Sequence, residues 1–237
     1  MILPDGLVQP PFAHRGLWSP GEAVENSLAA FERACQSHFG AELDVQLTVD
    51  GEVVVFHDET LQRLAGLDEA VANQTLSALT DIPLQGGPDR IPSLAEVLEL
   101  VAGRSMLLVE LKSGRDPEAL ARRVAHLLDH YRGPVAAISF DPATLAWFAA
   151  ERPHVPRGLD AMWDPEFETD AAEELDRQIA LAQPHFLVLE KRAAMGEFAA
   201  GQRALGRPVI AWTMRTTEDV DEVADRCDNF IFEGFTA

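Results

Sequence analysis

The chain has 237 residues, of which 47% are hydrophobic and 24% charged, a composition typical of globular proteins that argues against a disordered chain or a membrane protein. Nineteen basic against 39 acidic residues give a formal charge of −20, which opposes binding to nucleic acid and to anionic lipid headgroups. No apolar run is long enough to cross a bilayer, and residues 1–11 lack the basic start and apolar core of a secretory signal, so we expect a cytoplasmic location.

Short apolar runs alternate with helical patterns along the whole chain. The runs predict eight strands, at residues 12–14, 41–46, 106–110, 135–139, 158–162, 186–189, 209–212 and 230–232. Alternating strands and helices are typical of parallel sheets with right-handed crossovers, and eight such strands close a TIM barrel. We therefore predict one (β/α)8 domain over residues 1–237. An open doubly wound sheet is the alternative, but no Gly-rich phosphate loop follows the first strand.

Helical patterns fill the intervals between these runs. The first begins near Asn26 or Ser27, and another begins at Asp116-Pro117, a favourable cap and first-turn pair. Later helices are predicted near residues 142–150, 171–182, 193–204 and 217–226. Cys35 and Cys227 fall in predicted helices without a metal-type spacing, so we expect both thiols to be reduced.

The stretch ELDVQLTVDGEVVVFHD, residues 42–58, predicts a β-hairpin with its acidic side chains on one face. A two-residue turn at Asp50-Gly51 sets Asp44 opposite His57 and brings Glu42 to the same face. The returning arm is a ninth extended segment, which either extends the sheet at the mouth of the barrel or replaces one of the eight runs. The alternative is a purely structural hairpin whose acidic face is exposed to solvent.

Other charged groups end strands in the same way. His14 and Arg15 end the first strand, and Glu110 and Lys112 share one face at the end of the strand at 106–110. The carboxyl ends of barrel strands form one mouth, where reactive groups gather. Three carboxylates there make an all-oxygen site suited to Mg²⁺ or Ca²⁺, although a simple ion pair of Glu110 with Lys112 at the rim is also possible.

The segment between His57 and Glu110 is predicted to form a short capping insertion over this mouth. It contains at least one helical pattern, and its tip, at residues 65–74, is expected to help select the alcohol group of a substrate. Because the insertion is short, we expect the mouth to be open.

Eight short motifs stand in a specific order and spacing. They are AHRG (13–16), ENS (25–27), AELDVQLTVDG (41–51), VVFHDETLQR (54–63), IPSLAEVL (91–98), LLVELK (107–112), ISFD (138–141) and AWT (211–213). Together they resemble the glycerophosphodiester phosphodiesterases over nearly the whole chain. The resemblance implies a TIM barrel that binds one divalent cation, Mg²⁺ or Ca²⁺, and hydrolyses glycerophosphodiesters to an alcohol and glycerol 3-phosphate.

The resemblance also assigns roles by matching position. Three residues are implied as metal ligands: Glu42, Asp44 and Glu110. His14 and His57 are implied as the acid–base pair. Arg15 and Lys112 would hold the phosphate, Trp212 would form an aromatic wall of the substrate pocket, and Glu25 and Asn26 would support these groups without touching the substrate. Two nucleophiles are compatible with the motifs: the glycerol hydroxyl of the substrate and a water molecule at the metal.

The chain departs from the family pattern near its last strand. Family members commonly end a strand there in Thr-Asp, and an Asn often follows Trp-Thr by two residues; this chain has Glu233 and Arg215 near those positions. Because the metal and histidine positions match the family, we expect these two differences to affect only the rim of the pocket and the substrate preference. Arg215 is either an additional anion contact or a surface residue at the start of a helix, and we favour the second.

Two other functions are kept as alternatives. A lysophospholipase D-like activity on lysophospholipids is compatible with the resemblance and would be favoured by an apolar groove beside the metal site, although the charge opposes stable membrane association. A non-catalytic barrel that binds phosphate esters is disfavoured because both histidines and all three carboxylates are present. The expected partner is a small-molecule glycerophosphodiester, not a nucleic acid.

Overall fold

The computed structural model of the chain describes residues 3–4, 6–163, 168–235 and 237. Within these ranges, one sheet contains nine strands: β1 (Phe12–Ala13), β2 (Gly40–Leu47), β3 (Val53–Val55), β4 (Leu107–Leu111), β5 (Val135–Ser139), β6 (Arg157–Ala161), β7 (Phe186–Glu190), β8 (Val209–Met214) and β9 (Asn229–Phe232). All except β3 pair in parallel, and β1 pairs with both β2 and β9, so the sheet closes into a barrel. The predicted TIM barrel and its eight strands are confirmed.

Helices cover the outside of the barrel, apart from two short ones, Gln62–Ala65 and Leu76–Thr80, in the insertion after β3. In chain order the helices are α1 (Leu28–Gln36), α2 (Gln62–Ala65), α3 (Leu76–Thr80), α4 (Leu94–Val101), α5 (Pro117–Leu128), α6 (Pro142–Glu151), α7 (Glu168–Ala182), α8 (Lys191–Ala194), α9 (Glu197–Ala204) and α10 (Thr217–Val223). Ser27 caps α1 by accepting a hydrogen bond from the backbone N–H of Ala30, and Asp116 caps α5 in the same way. The single helix predicted at 193–204 is instead two, because the backbone is extended at Gly196.

The interior of the barrel is filled by its own apolar cluster. The buried members of that cluster are Leu7, Phe12, Met106, Leu108, Ala136, Ile138, Phe186, Val188, Ile210 and Ile231. The packing is close: a Cβ atom added at Gly158 would clash with the Phe186 ring. A larger apolar cluster lies between the strands and the surrounding helices and includes Leu43 and Val45 of β2. The alternate residues of β2, Glu42 and Asp44, therefore face the inside of the barrel.

The hairpin of β2 and β3 has a different register from the predicted one. Val45 pairs with Val55, so the backbone N–H that bonds Asp44 O, at 3.0 Å, belongs to Phe56. The prediction that Asp44 lies opposite His57 is therefore wrong by one residue.

Thr48 is the reason for this shift. Its N–H donates to Glu52 O at 2.9 Å, so the strands already pair at Thr48 and the loop has three residues. Gly51 ends the loop with φ of 78°, in the left-handed region that three-residue hairpins require. The Thr48 hydroxyl also accepts from Glu52 N and donates to Asp50 Oδ1. The returning arm of the hairpin is β3, which pairs antiparallel with β2 and displaces none of the eight barrel strands.

The insertion after β3 has a small core of its own. The short helices α2 and α3 pack with the hairpin around buried apolar side chains: Val54, Phe56, Leu61, Leu64, Val71, Leu79, Leu84 and Ile91. The new register explains why Phe56 belongs to this cluster. In the part of the chain that the structure describes, no helix combines the length and apolar character needed to cross a membrane.

Candidate active site

Three carboxylates meet inside the barrel at the carboxyl ends of two neighbouring strands. Asp44 of β2 is in register with Glu110 of β4, and Glu42 lies one inward-facing position below Asp44. One carboxylate oxygen of each residue lies within 4.8 Å of the other two. Glu42 and Asp44 are only 2% and 0% exposed. The three carboxylates that the sequence predicts as one cluster are thus brought together.

The carboxylates strongly influence one another's ionisation. Burial raises the pKa of Glu42 well above its usual value, and the charges of Asp44 and Glu110 raise it further. Burial and the neighbouring Asp44 raise the pKa of Glu110 to about 7. For Asp44, burial acts in the same sense, but the cations of Lys112 and Arg15 outweigh it and hold the pKa of this carboxyl below its usual value. The cluster therefore binds a proton more readily than separate carboxylates do.

Two cations adjoin the cluster. Lys112 Nζ lies 2.9 Å from Glu110 Oε1 and 3.1 Å from Asp44 Oδ1. Arg15 Nε lies 3.3 Å from Asp44 Oδ2. The ion pair of Glu110 with Lys112 is present, but it is not a simple rim contact: Lys112 also pairs with the fully buried Asp44, and both Glu110 and Lys112 line the cavity.

The loops at 13–16 and 25–27 interlock around these groups. Arg15 and Asn26 both have left-handed backbones, with φ of 59° and 57°, and the Asn26 N–H donates to Arg15 O at 2.8 Å. Arg15 N donates to Glu42 Oε2 at 3.0 Å, and Asn26 Nδ2 donates to Asp44 Oδ2 at 2.8 Å. Glu25 accepts from Arg15 Nη1 at 2.7 Å. Strained non-glycine backbones of this kind concentrate at functional sites and persist where surrounding contacts hold them.

Each of the two predicted histidines has a carboxylate on Nδ1. His14 Nδ1 lies 2.7 Å from Glu233 Oε2, and His57 Nδ1 lies 2.7 Å from Asp58 Oδ1. A carboxylate in this position favours the tautomer with a proton on Nδ1, which leaves Nε2 as the free nitrogen. Burial, with a contribution from Arg15, lowers the pKa of His57. His14 Nε2 lies 3.9 Å from Glu42 Oε2, so this ring adjoins the carboxylate cluster.

Each carboxylate that contacts a histidine, Asp58 and Glu233, also pairs with an arginine. Arg63 Nε donates to Asp58 Oδ2 at 2.6 Å, and its Nη1 donates to Glu25 Oε2 at 2.7 Å. On the other side, Arg215 Nη2 lies 2.7 Å from Glu233 Oε1. Burial alone would raise the pKa of Glu233, but His14 and Arg215 lower it to about 2. The two residues that depart from the family pattern are therefore paired with each other.

Both histidines, both cations and two of the three carboxylates line a cavity of about 240 Å³. Its lining consists of His14, Arg15, Glu42, His57, Glu110, Lys112, Ile138, Phe140, Asp160, Trp212, Thr213, Arg215 and Ile231. Trp212 is among these residues and packs edge-to-face against Phe140, with 5.8 Å between ring centroids. The predicted tip of the insertion, residues 65–74, contributes nothing to this lining; Ala72 instead borders a neighbouring pocket beside Lys112. Arg215 both lines the cavity and precedes helix α10, with a side chain 64% exposed.

Four polar residues of the site have no role predicted from the sequence: Asp58, Arg63, Asp160 and Glu233. Asp58 and Arg63 lie within the motif at 54–63, and Glu233 departs from the family pattern. Asp160 is a carboxylate inside the apolar run at 158–162, which is a visible signal because charged residues are rarely fully buried unless they are paired. Its position in the cavity could not be read from the sequence, since the other residues that line the cavity lie on different strands and loops.

Comparison with known proteins gives one consistent family. The model of the glycerophosphoryl diester phosphodiesterase family matches residues 14–234. A glycerophosphodiester phosphodiesterase from Caldanaerobacter subterraneus subsp. tengcongensis is 42% identical over 233 residues, 89% of this chain and 88% of that protein. One from Bacillus altitudinis is 38% identical over 157 residues, and the match spans 61% of this chain but only 63% of that relative.

Solved structures agree with this result. The crystal structure of a glycerophosphodiester phosphodiesterase from Thermotoga maritima superimposes with a TM-score of 0.75 at 29% identity, covering 93% of this chain and 92% of that one. An Oleispira antarctica phosphodiesterase, solved in complex with its product sn-glycerol-3-phosphate, superimposes with a TM-score of 0.79 at 25% identity, covering 94% and 91%.

Proposed function

Because the chain belongs to the glycerophosphoryl diester phosphodiesterase family, a family of phosphoric diester hydrolases, we propose that it hydrolyses small glycerophosphodiesters to an alcohol and glycerol 3-phosphate. The observation that carries this proposal is the cavity shared by two carboxylate-paired histidines, the carboxylate cluster and two cations. In this proposal residues 1–237 form one domain that works in the cytoplasm, which is supported by two buried free thiols.

A divalent cation fits the carboxylate cluster. Glu42 Oε1 is buried and has no hydrogen-bond partner among the described residues, so an acceptor is left over for a ligand. The donor set of Glu42, Asp44 and Glu110 contains oxygen only, which suits the hard cations Mg²⁺ and Ca²⁺. When bound, the cation supplies positive charge to a non-bridging oxygen of the phosphodiester.

Arg15 and Lys112 are the proposed phosphate-binding residues. Both cations line the cavity and already lie beside the carboxylates, so a phosphate that enters finds them in place. Their charges neutralise the non-bridging oxygens as the negative charge of the transition state grows. Glu25 and Asn26 support this arrangement through their hydrogen bonds to Arg15 and Asp44.

His14 and His57 are the proposed proton-transfer residues. The unprotonated Nε2 of one ring takes the proton of the attacking group, a substrate hydroxyl or a water molecule. The other ring starts doubly protonated, and its Nε2–H delivers a proton to the departing alkoxide. Glu233 and Asp58 hold the rings in the required tautomer and orientation. Trp212, with Phe140, forms the apolar wall on which the alcohol group rests.

The cavity size supports a small substrate. Its volume of about 240 Å³ lies below the roughly 300–1,000 Å³ of sites for drug-sized ligands. A glycerol phosphate unit with a short alcohol suits this space better than a lysophospholipid does.

The experiment is a panel of glycerophosphodiesters and lysophospholipids, each assayed with Mg²⁺, with Ca²⁺ and with chelator. We expect glycerol 3-phosphate to be released from the small diesters in a chelator-sensitive manner. Turnover of lysophospholipids alone would favour the lysophospholipase D-like alternative, and binding of phosphate esters without any product would favour a non-catalytic barrel.

A further inference from the structure

Asp160 is a buried carboxyl group that faces the cavity and that no step above uses. It lies near the carboxyl end of β6, is only 4% exposed and lines the cavity. Its register partner Val188 belongs to the apolar cluster inside the barrel, while its neighbour Leu159 packs outside against the helices. The side chain therefore points inward, on the part of the barrel wall that follows Glu110 and Ile138 of β4 and β5.

One oxygen of this carboxyl group lacks a hydrogen-bond partner in the part of the chain that the structure describes. Asp160 Oδ2 is buried and has no hydrogen-bond partner among the described residues. Buried polar atoms in native proteins are nearly always hydrogen-bonded, because leaving one unpaired costs free energy. An unpaired oxygen that faces a cavity therefore indicates a group that enters from solution.

The environment of Asp160 indicates which chemical group binds to it. Burial, with a contribution from the negative charge of Glu110, raises the pKa of Asp160 well above its usual value. A raised pKa weakens the attraction of this carboxyl group for an ammonium ion, whereas a carboxyl group accepts a hydrogen bond from an alcohol hydroxyl in either protonation state and, when protonated, also donates one. A hydroxyl is thus a better partner than the cationic head of an amino alcohol.

The depth of Asp160 in the cavity indicates which part of the substrate carries the hydroxyl group that it binds. The apolar residue Phe140 is 39% exposed and marks the rim, whereas Asp160 lies below the surface at 4%. The variable alcohol group of a diester has to fit the open rim, while the constant glycerol unit can occupy the closed end.

We propose that Asp160 binds a hydroxyl of the glycerol unit and makes the site selective for glycerol esters. This inference rests on the proposed function, since it names the group that recognises the glycerol side of the same substrate. Asp160 acts as a specificity residue, and it moves no proton in the reaction.

The test measures binding by titration calorimetry, so it does not depend on turnover. The ligands are glycerol 3-phosphate, propyl phosphate, which lacks both hydroxyls, and methyl phosphate, each in the presence of Mg²⁺. We expect the wild-type protein to bind glycerol 3-phosphate at least tenfold more tightly than propyl phosphate. Asp160→Leu is expected to remove this preference and to leave methyl phosphate binding within twofold of wild type.

Two further variants separate recognition from a general structural effect. Asp160→Asn keeps a donor and an acceptor and is expected to retain part of the preference. Asp68→Leu makes the same replacement at an exposed aspartate of the insertion and is expected to change neither affinity. If Asp160→Leu does not fold, Asp160→Asn and the propyl phosphate comparison still test the proposal.

The outcomes distinguish this inference from the proposed function. A wild-type protein that releases glycerol 3-phosphate, while Asp160→Leu or Asp160→Asn binds all three ligands with wild-type affinities, would overturn the role of Asp160 alone. Equal losses for glycerol 3-phosphate and methyl phosphate would also overturn it. A wild-type protein that neither binds these ligands nor turns over any glycerophosphodiester would overturn both.

Discussion

His14 Nδ1 and Glu233 Oε2 lie 2.7 Å apart although 219 positions separate the two residues in the chain. His57 obtains the same kind of contact from Asp58, its immediate neighbour. The two rings therefore have equivalent carboxylate partners. Asp58 is a neighbour of His57 in the chain, whereas Glu233 reaches His14 only when the barrel closes. This difference determines which effects substitutions at the two carboxylates can have.

Glu233→Gln removes the charge beside His14 and keeps the size of the side chain. Because an amide stabilises the required tautomer and its protonated form less well, we expect kcat to fall about 10- to 100-fold with little change in KM. The pH dependence of kcat/KM should change as well, which a purely structural role would not cause. Arg215→Gln, which keeps the carboxylate and removes only its outer partner, is the matched control and should have a smaller effect.

His14→Ala and His57→Ala test the acid–base pair directly. Loss of a positioned acid or base costs about 10²–10⁴ in rate, so turnover should be abolished in both variants while circular dichroism shows the fold intact. A variant that retains even a tenth of wild-type activity would exclude that histidine as an essential acid or base. His126→Ala, on an exposed face of α5, serves as the control and should retain full activity.

Metal binding should be visible in stability. A ligand at 100 times its dissociation constant stabilises the folded protein by about 2.7 kcal/mol, so saturating Mg²⁺ or Ca²⁺ should raise the wild-type melting temperature. Glu42→Gln removes one of the three carboxylates and should abolish most of this increase. Thermal unfolding with each cation and with chelator measures the effect. An equal increase in Glu42→Gln would contradict the proposed ligand set.

The pH dependence of metal-free stability provides a test of Glu110. Its pKa is about 7 in the folded protein and near 4.5 when unfolded, so the folded state binds more protons between these values. The free energy of unfolding should therefore fall as pH rises from about 4.5 to 7, with a contribution from this group on the order of 1–3 kcal/mol. Denaturant titrations in chelator across that window should show a shallower slope for Glu110→Gln. An unchanged slope would contradict the raised pKa.

Much of the fold and of the site could be predicted from the sequence, because the decisive signals are local. The periodicity of apolar residues indicates eight strands, and the alternation in residues 42–49 places Glu42 and Asp44 on one face. Strand ends then bring Glu110 and His14 to the same mouth, since parallel barrel strands all end on one side.

The errors and omissions depend on interactions that local patterns do not show. Asp50-Gly51 is typical of a two-residue turn, but Thr48 forms side-chain bonds that favour a three-residue loop and shift the register by one. The importance of Glu233 and Asp160 depends on which distant strands adjoin them, which only the closed barrel specifies.

The short strand β1 lies between β2 and β9 and joins the beginning of the barrel to its end. Because a ribosome makes β9 last, His14 emerges early but receives its carboxylate partner only after nearly the whole barrel has been synthesised. A chain that stops before β9 lacks both the strand that closes the barrel and the group that orients the first histidine. Incomplete chains would therefore be inactive even where their earlier strands and helices have already formed.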